Sequence, residues 1–188
     1  MTDPSGYEAP TIQDIFNLSI DLAKKILGSG KQYDCIVGIS RGGLIPSRLL
    51  SDFLGIKDIR IIRSVYYTGP GETLDKPQIS LDGLGDLNDK RVLIVDDVAD
   101  TGDTLNSLKN LILERGVEDV AIATLYVKPW RKIHIDYFVR ETDKWIVFPW
   151  EIKEVIIDLK NSGKADNLLL RYGYRDDFRR VMELISGV

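Results

Sequence analysis

Short runs of aliphatic and β-branched residues alternate along this chain with longer stretches of helical period. That alternation limits the fold more than any other feature. The apolar runs are Cys35–Ile39, Ile59–Val65, Val92–Val95, Val120–Val127, Tyr137–Val139 and Trp145–Phe148. They are short and rich in the side chains that suit a buried, pleated surface. Helical patterns lie between them. Ile15, Leu18, Leu22 and Ile26 form one, opened by Thr11 and Asp14 as a capping box. Leu44 to Leu54 form the next, stopped by Gly55, where a left-handed residue is favoured. A third uses Leu105, Leu108, Leu111 and Ile112 and ends by Gly116. Two more close the chain, on Ile152, Val155, Ile156 and Leu159, then on Phe178, Val181, Met182 and Ile185 after a cap at Asp176 or Asp177. Strands alternating with helices give an α/β fold: a central, mostly parallel sheet flanked by helices. Ligands of such sheets sit beyond the carboxyl ends of the strands. Here that rule points to Ser40–Gly43, Ser64–Tyr67 and Asp96–Thr104.

Composition narrows the classes. With 188 residues and 44% hydrophobic content, the chain has enough material for one domain with a core and is not of disordered type. The formal net charge of −4 leaves no basic footprint for nucleic acid. One histidine and one cysteine cannot build a zinc site of the usual kind. Cys35 reads as a small core residue, and a lone cysteine excludes an internal disulfide and fits a reducing compartment. No apolar run approaches the ~20 residues of a membrane span, and MTDPSGYEAP does not resemble a signal peptide. The expectation is a cytoplasmic protein with neither nucleic acid nor membrane as partner. Residues 1–10 read as a loose arm. The stretch 67–89, rich in Gly, Pro and Asp, reads as a long loop of the kind that closes over a site. His134 reads as a surface or half-buried histidine.

The chemistry concentrates at Val92–Thr104. A buried strand runs into two adjacent carboxylates, Asp96 and Asp97, and then into a turn with Thr101, Gly102 and Thr104 that opens a helix. Free N–H groups and the dipole at that helix start favour an anion such as phosphate. The glycine lets backbone approach it, and the threonines can donate hydroxyl hydrogen bonds. Asp96 and Asp97 would repel a phosphate but suit hydroxyl donors or a hydrated cation. A ligand carrying both kinds of group, such as a ribose phosphate, matches the arrangement. Asp100, at the edge of the turn, is placed to move a proton. A strand with an acidic turn and an N-capped helix, needing no ligand, is the competing interpretation.

Val92–Leu105 resembles the phosphoribosyl-pyrophosphate (PRPP) motif of type I phosphoribosyltransferases. Three further segments resemble the 6-oxopurine branch, its xanthine-guanine members above all: Ser40-Arg41-Gly42-Gly43-Leu44, Val127-Lys128-Pro129 and Asp143–Glu151. All four occur in the family's order across residues 35–151. The resemblance implies an Mg²⁺-dependent enzyme of purine salvage. It would join guanine, xanthine or hypoxanthine to PRPP and release pyrophosphate and a nucleoside 5′-monophosphate. By the same resemblance, Asp96 and Asp97 hold the ribose hydroxyls, and Asp100 takes or shares the proton at purine N7. Thr101, Gly102, Asp103 and Thr104 form the 5′-phosphate turn, and Asp103 stands where relatives carry Lys or Gly. Ser40, Arg41 and Gly42, with Arg63 and Ser64, meet pyrophosphate, and the Ser40–Arg41 peptide is often cis in relatives. Lys128 reads the 6-oxo group, because an ammonium only donates. Trp145 stacks on the base, and Ile146 and Glu151 lie at its Watson–Crick edge. Asp96 and Asp97, with Glu151 indirectly, face the metal. Tyr66 or Tyr67 covers the site.

The resemblance further implies that residues 1–151 form the transferase domain, with a small hood over the base site. Residues 152–188 would be a helical extension that covers the core, makes an oligomer contact or approaches the base. A homodimer or homotetramer is expected. Two other functions remain open on the sequence: a PRPP- or nucleotide-binding regulator that no longer catalyses, and a transferase for another base such as adenine.

Overall fold

The structure, a computed structural model, describes residues 6–65, 68–69, 72–73, 78–163 and 165–186. In chain order the elements begin with β1 (Tyr7–Glu8), α1 (Ile12–Gly28), β2 (Cys35–Ser40), α2 (Leu44–Leu54) and β3 (Asp58–Val65). Three short strands follow, β4 (Thr68–Gly69), β5 (Glu72–Thr73) and β6 (Gln78–Ser80). Then come β7 (Arg91–Ala99), α3 (Asp103–Leu113), β8 (Asp119–Val127), β9 (Tyr137–Glu141) and β10 (Trp145–Ile146). Three helices finish the chain: α4 (Ile152–Asn161), α5 (Ala165–Tyr172) and α6 (Asp176–Ser186). They fall into two compact units, Phe16–Thr142 and, separately, Met1–Ile15 with Asp143–Val188.

In the first unit six strands lie in the order β6-β3-β2-β7-β8-β9. All neighbours are parallel except β6, which runs antiparallel to β3. The α/β expectation therefore holds. Successive side chains of a strand point to opposite faces. Val37 and Ile39 of β2, Val92 and Ile94 of β7, and Val120 and Ile122 of β8 join Leu105, Leu108 and Ile112 of α3 in one buried cluster. Helix α2 packs on β2, β3 and β7. Their intervening residues, Ile36 and Leu93, are equally buried. A sheet covered on both faces reads as continuous apolar runs, which is why these strands are so plain in the sequence. From β2 the chain passes through α2 outward to β3, then returns to place β7 on the other side of β2. The boundary between β2 and β7 is thus a topological switch point, where the crevice of an open α/β sheet forms.

In the second unit β1 pairs in parallel with β10, Tyr7 opposite Trp145. Ala9, Val147, Ile152, Ile156, Leu168 and Phe178 form its own apolar cluster. The three terminal helices bury their faces there, together with the N-terminal segment.

Several local expectations hold. Thr11 and Asp14 exchange the capping-box bonds, Thr11 N–H to Asp14 Oδ2 at 2.8 Å and Asp14 N–H to Thr11 Oγ1 at 3.1 Å. Gly55 closes α2 with φ 70°. Cys35 is buried, and that burial pushes its thiol up to about 12, which leaves it a core residue rather than a nucleophile. His134 is exposed. Others are corrected. Residues 7 and 8 are not part of a loose arm, since backbone pairing with β10 holds them. Within 67–89, three short strands replace an unbroken loop, and β6 extends the sheet edge by backbone hydrogen bonds that need no apolar period. Strand β7 does not end at Val95 but carries Asp96 and Asp97 within it. Helix α5 went unread because Leu168, Leu169 and Leu170 are consecutive rather than periodic; the first is buried and the last exposed. Tyr66 and Tyr67, the expected cap of the site, lie outside the described residues.

Candidate active site

Two loops leave the sheet at the switch point. The first follows β2. Ser40 ends the strand, the Ser40–Arg41 peptide is cis, and Gly43 N–H returns to Ile39 O at 2.8 Å before α2 begins. Space explains both glycines. A Cβ on Gly43 would sit 2.5 Å from Val95 O and 2.8 Å from Ile39 O. A Cβ on Gly42 would sit 2.3 Å from Asp97 Oδ2. The loop after β2 thus lies directly against the Asp97 carboxylate of β7.

The second loop follows β7. Asp96 and Asp97 are neighbours on one strand, so their side chains take opposite faces. Asp97 is only 6% exposed, and its N–H donates to Asp96 Oδ1 at 3.0 Å. Gly102 caps α3 with φ 89°, a backbone conformation glycine adopts without strain. Asp103 and Thr104 open the helix, and its first N–H groups stand where an anion cradle is expected. Thr101 spends its hydroxyl inside the turn: it donates to Asp103 Oδ2 at 2.9 Å and accepts from Asp103 N–H at 3.3 Å. The Asp103 side chain thus lies in that same first turn.

A third segment, after β8, runs beside the second. Lys128 N–H donates to Ala99 O at 2.9 Å, and Lys132 N–H donates to Thr101 O at 2.9 Å. Lys128 is 8% exposed, so it is not the solvated strand end that a lysine there usually forms. Its ammonium lies 5.5 Å from the centre of the Trp130 ring. Arg131 holds the segment down, with its guanidinium on Lys128 O at 3.1 Å and on Glu141 Oε2 at 2.7 Å. On β3, Arg63 is exposed, while the Ser64 hydroxyl is buried without a partner among the described residues.

The other unit carries the remaining expected residues. Trp145 is 56% exposed on the β1–β10 pair, so its indole is not a core aromatic. Ile146 is buried beside it. Glu151 caps α4, its N–H donating to Phe148 O at 3.0 Å. Among the described residues no group of three or more His, Cys, Asp or Glu is arranged to hold a metal ion by itself.

The family model described as "Phosphoribosyl transferase domain" matches residues 10–155. The chain belongs to the phosphoribosyltransferase family. A xanthine-guanine phosphoribosyltransferase of Cereibacter sphaeroides is 33% identical over 140 residues, covering 70% of this chain and 78% of that protein. The crystal structure of a purine phosphoribosyltransferase from Pyrococcus horikoshii is 41% identical, with TM-score 0.68 over 77% of this chain and 93% of the other. A protein from Neisseria gonorrhoeae, solved with bound ppGpp, is 30% identical, with TM-score 0.69 over 84% of this chain and 95% of the other.

In this phosphoribosyltransferase the Asp97–Gly42 contact and the Lys128–Ala99 bond bring together three segments far apart in sequence. Sequence reasoning missed one residue that stands among them. Trp130 Nε1–H donates to Asp100 Oδ1 at 2.6 Å. The signal was present, since an exposed-type tryptophan lies two residues after the lysine assigned to the base. Without the fold, nothing tied it to Asp100.

Proposed function

We propose that this phosphoribosyltransferase joins a 6-oxopurine to PRPP. The observation that carries the reading is the common placement of Asp100 and Lys128. The two flank one indole ring, on segments tied together by the Lys128–Ala99 hydrogen bond. A 6-oxopurine protonated at N7 presents a carbonyl acceptor at C6 next to an N–H donor. An ammonium and a carboxylate are the complement of that edge, whereas the 6-amino group of adenine would meet the ammonium donor to donor.

The chemistry follows. Purine N9 forms the new bond to C1′ as the C1′–oxygen bond breaks, and pyrophosphate leaves with the electron pair. The N7 proton passes to Asp100. The α3 cradle binds the 5′-phosphate through backbone N–H groups, and Ser40–Gly42 with Arg63 and Ser64 take the departing pyrophosphate. Asp96 and Asp97 accept from the ribose hydroxyls. Trp145 would offer its exposed aromatic face to the purine, and Ile146 and Glu151 would meet the Watson–Crick edge of the base, as the resemblance implies.

Asp96 and Asp97 project to opposite faces of β7, so they would not clasp one ion between them. Mg²⁺ keeps several waters, and Asp96 and Asp97 would hold it through those waters, with Glu151 acting only indirectly. Bound there, the ion would neutralise charge on the leaving pyrophosphate. The same reading places the enzyme in purine salvage in the cytoplasm, as a homodimer or homotetramer, with residues 1–151 as the transferase domain and 152–188 as its extension.

The test is a panel of guanine, xanthine, hypoxanthine, adenine and uracil with PRPP and Mg²⁺. Nucleoside monophosphate should form from the 6-oxopurines, and adenine should be a poor substrate. Failure of every 6-oxopurine would overturn the reading. One observation favours a second function, nucleotide-responsive control, namely the ppGpp bound in the Neisseria gonorrhoeae protein. Its guanine and phosphates are the groups this site is proposed to take. Competition of ppGpp against PRPP in the same assay measures it.

A further inference from the structure

The segment after β8 meets the phosphate turn in three successive steps. Lys128 N–H bonds Ala99 O, Trp130 Nε1–H bonds Asp100 Oδ1, and Lys132 N–H bonds Thr101 O, at 2.9, 2.6 and 2.9 Å. The first and third are backbone bonds. The middle one is made by a side chain, and it lands on the carboxylate assigned to the purine proton. Next in line, Ile133 covers Gly102, where an added Cβ would stand 2.4 Å from Ile133 Cγ1. The indole itself is 47% exposed. Burial of about half of its surface anchors Trp130 without direction, and the hydrogen bond is its directional contact.

We propose that Trp130 is a positioning residue: its N–H fixes the Asp100 carboxylate for proton transfer from the purine. The proposal rests on Asp100 being the proton acceptor. Asp100 stands at the edge of a turn, where its side chain would otherwise sample several rotamers. A charge-assisted hydrogen bond at 2.6 Å selects one of them. The choice of donor matters. An indole N–H cannot accept a proton and carries no formal charge. It orients the carboxylate and leaves Oδ2 to take the proton, where an arginine or lysine partner would stabilise the anion far more and make it a poorer acceptor. The face of the same ring lies 5.5 Å from the Lys128 ammonium. One side chain thus meets both groups that bracket the purine edge, the carboxylate at its rim and the ammonium at its face.

The test compares Trp130→Phe with benzothienylalanine incorporated at position 130, which keeps the ring shape and replaces the N–H by sulfur. Asp100→Asn and the double variant Asp100→Asn/Trp130→Phe complete the set, all assayed with the best base of the panel. The expected result is a loss of kcat of about tenfold for both single changes at position 130, about 1.4 kcal/mol. KM for PRPP should stay within about twofold, and Trp130→Phe should cost nothing further in the Asp100→Asn background. If benzothienylalanine retains full kcat while Asp100→Asn is impaired, Trp130 does not position Asp100 and the proposal falls alone. If Asp100→Asn retains full kcat, the proton-acceptor reading falls and takes the proposal with it.

Discussion

The loops at the ends of β2 and β7 sit side by side at the switch point, yet they are built on opposite principles. The loop after β2 is defined by what it lacks. Gly43 meets backbone oxygens of Val95 and Ile39, and Gly42 meets the carboxylate of Asp97, at distances no Cβ tolerates. The loop after β7 is defined by what its side chains do. Thr101 bonds Asp103 and Asp100 receives Trp130, while Gly102 supplies the backbone angle and leaves room for Ile133. A substitution at either glycine of the first loop therefore acts through volume, and one at Asp100 or Asp103 of the second through charge or proton transfer. The two kinds of damage separate in a kinetic assay.

The largest effect belongs to the second loop. Asp100→Asn keeps the volume and removes the base, so kcat should fall by about 10²-fold or more while KM for PRPP changes little. Equal losses in kcat and in PRPP affinity would erase the distinction, because Asp100 would then be a binding residue. The next largest belongs to the first loop. Gly42→Ala forces the Asp97 carboxylate aside, an overpacking that costs about 1–3 kcal/mol. Because the displaced group is assigned to ribose, the cost should show as a rise of about tenfold in KM for PRPP, with kcat less affected. Gly42→Ala with unchanged KM would show that Asp97 does not hold the substrate.

These two loops also mark how far the sequence could be read. Cys35–Ile39 and Val92–Val95 are buried on both faces, so hydrophobicity alone announced the strands, and the rule for open sheets then pointed to their carboxyl ends. The glycines of Ser40–Gly43 and the Asp-rich turn were legible as motifs because their residue types are rare in that order. The contacts between them were not. Nothing in the spacing says that Gly42 faces Asp97 or that Trp130 reaches Asp100, because both pairings depend on which strands become neighbours. Strand β7 continues through Asp96 and Asp97, where polarity hid it. Strands β1 and β6 are two or three residues long and fall below any periodic signal, whereas β10 lies within the apolar run Trp145–Phe148.

A smaller effect, of opposite sign, tests the charge argument. Asp103 places a carboxylate beside the anion cradle, with its oxygen held by Thr101. Asp103→Ser removes that negative charge and frees the Thr101 hydroxyl to meet a phosphate. KM for PRPP should fall by about two- to fivefold at low salt, with the gain shrinking as salt rises. Asp103 also sits favourably on the helix dipole, so the variant should lose about 0.3–1 kcal/mol of stability. A rise in KM would mean that Asp103 supports the turn more than it repels the ligand.

The smallest effect comes from the other end of the same two strands. Just before β2, Asp34 N–H donates to Arg91 O at 2.8 Å, and the Arg91 side chain at the start of β7 grips the Asp34 carboxylate at 2.9 and 2.7 Å. The Arg91 guanidinium and backbone N–H hold the Asp34 carboxyl below its ordinary value of 3.8. A depressed carboxyl contributes its stability in full above that ordinary value and loses it as pH falls through the lower, folded-state value. Both side chains are partly exposed, so solvent screens the pair and the contribution is small. Asp34→Asn should therefore lower Tm slightly at neutral pH, and the gap to the parent should narrow as the pH drops below about 4. It should leave kcat and KM for PRPP unchanged, because this pair clamps β2 to β7 at the end away from the ligand. A change in KM would mean that strain at the base of the two strands reaches their carboxyl ends, and the loops would then not be independent of the clamp beneath them.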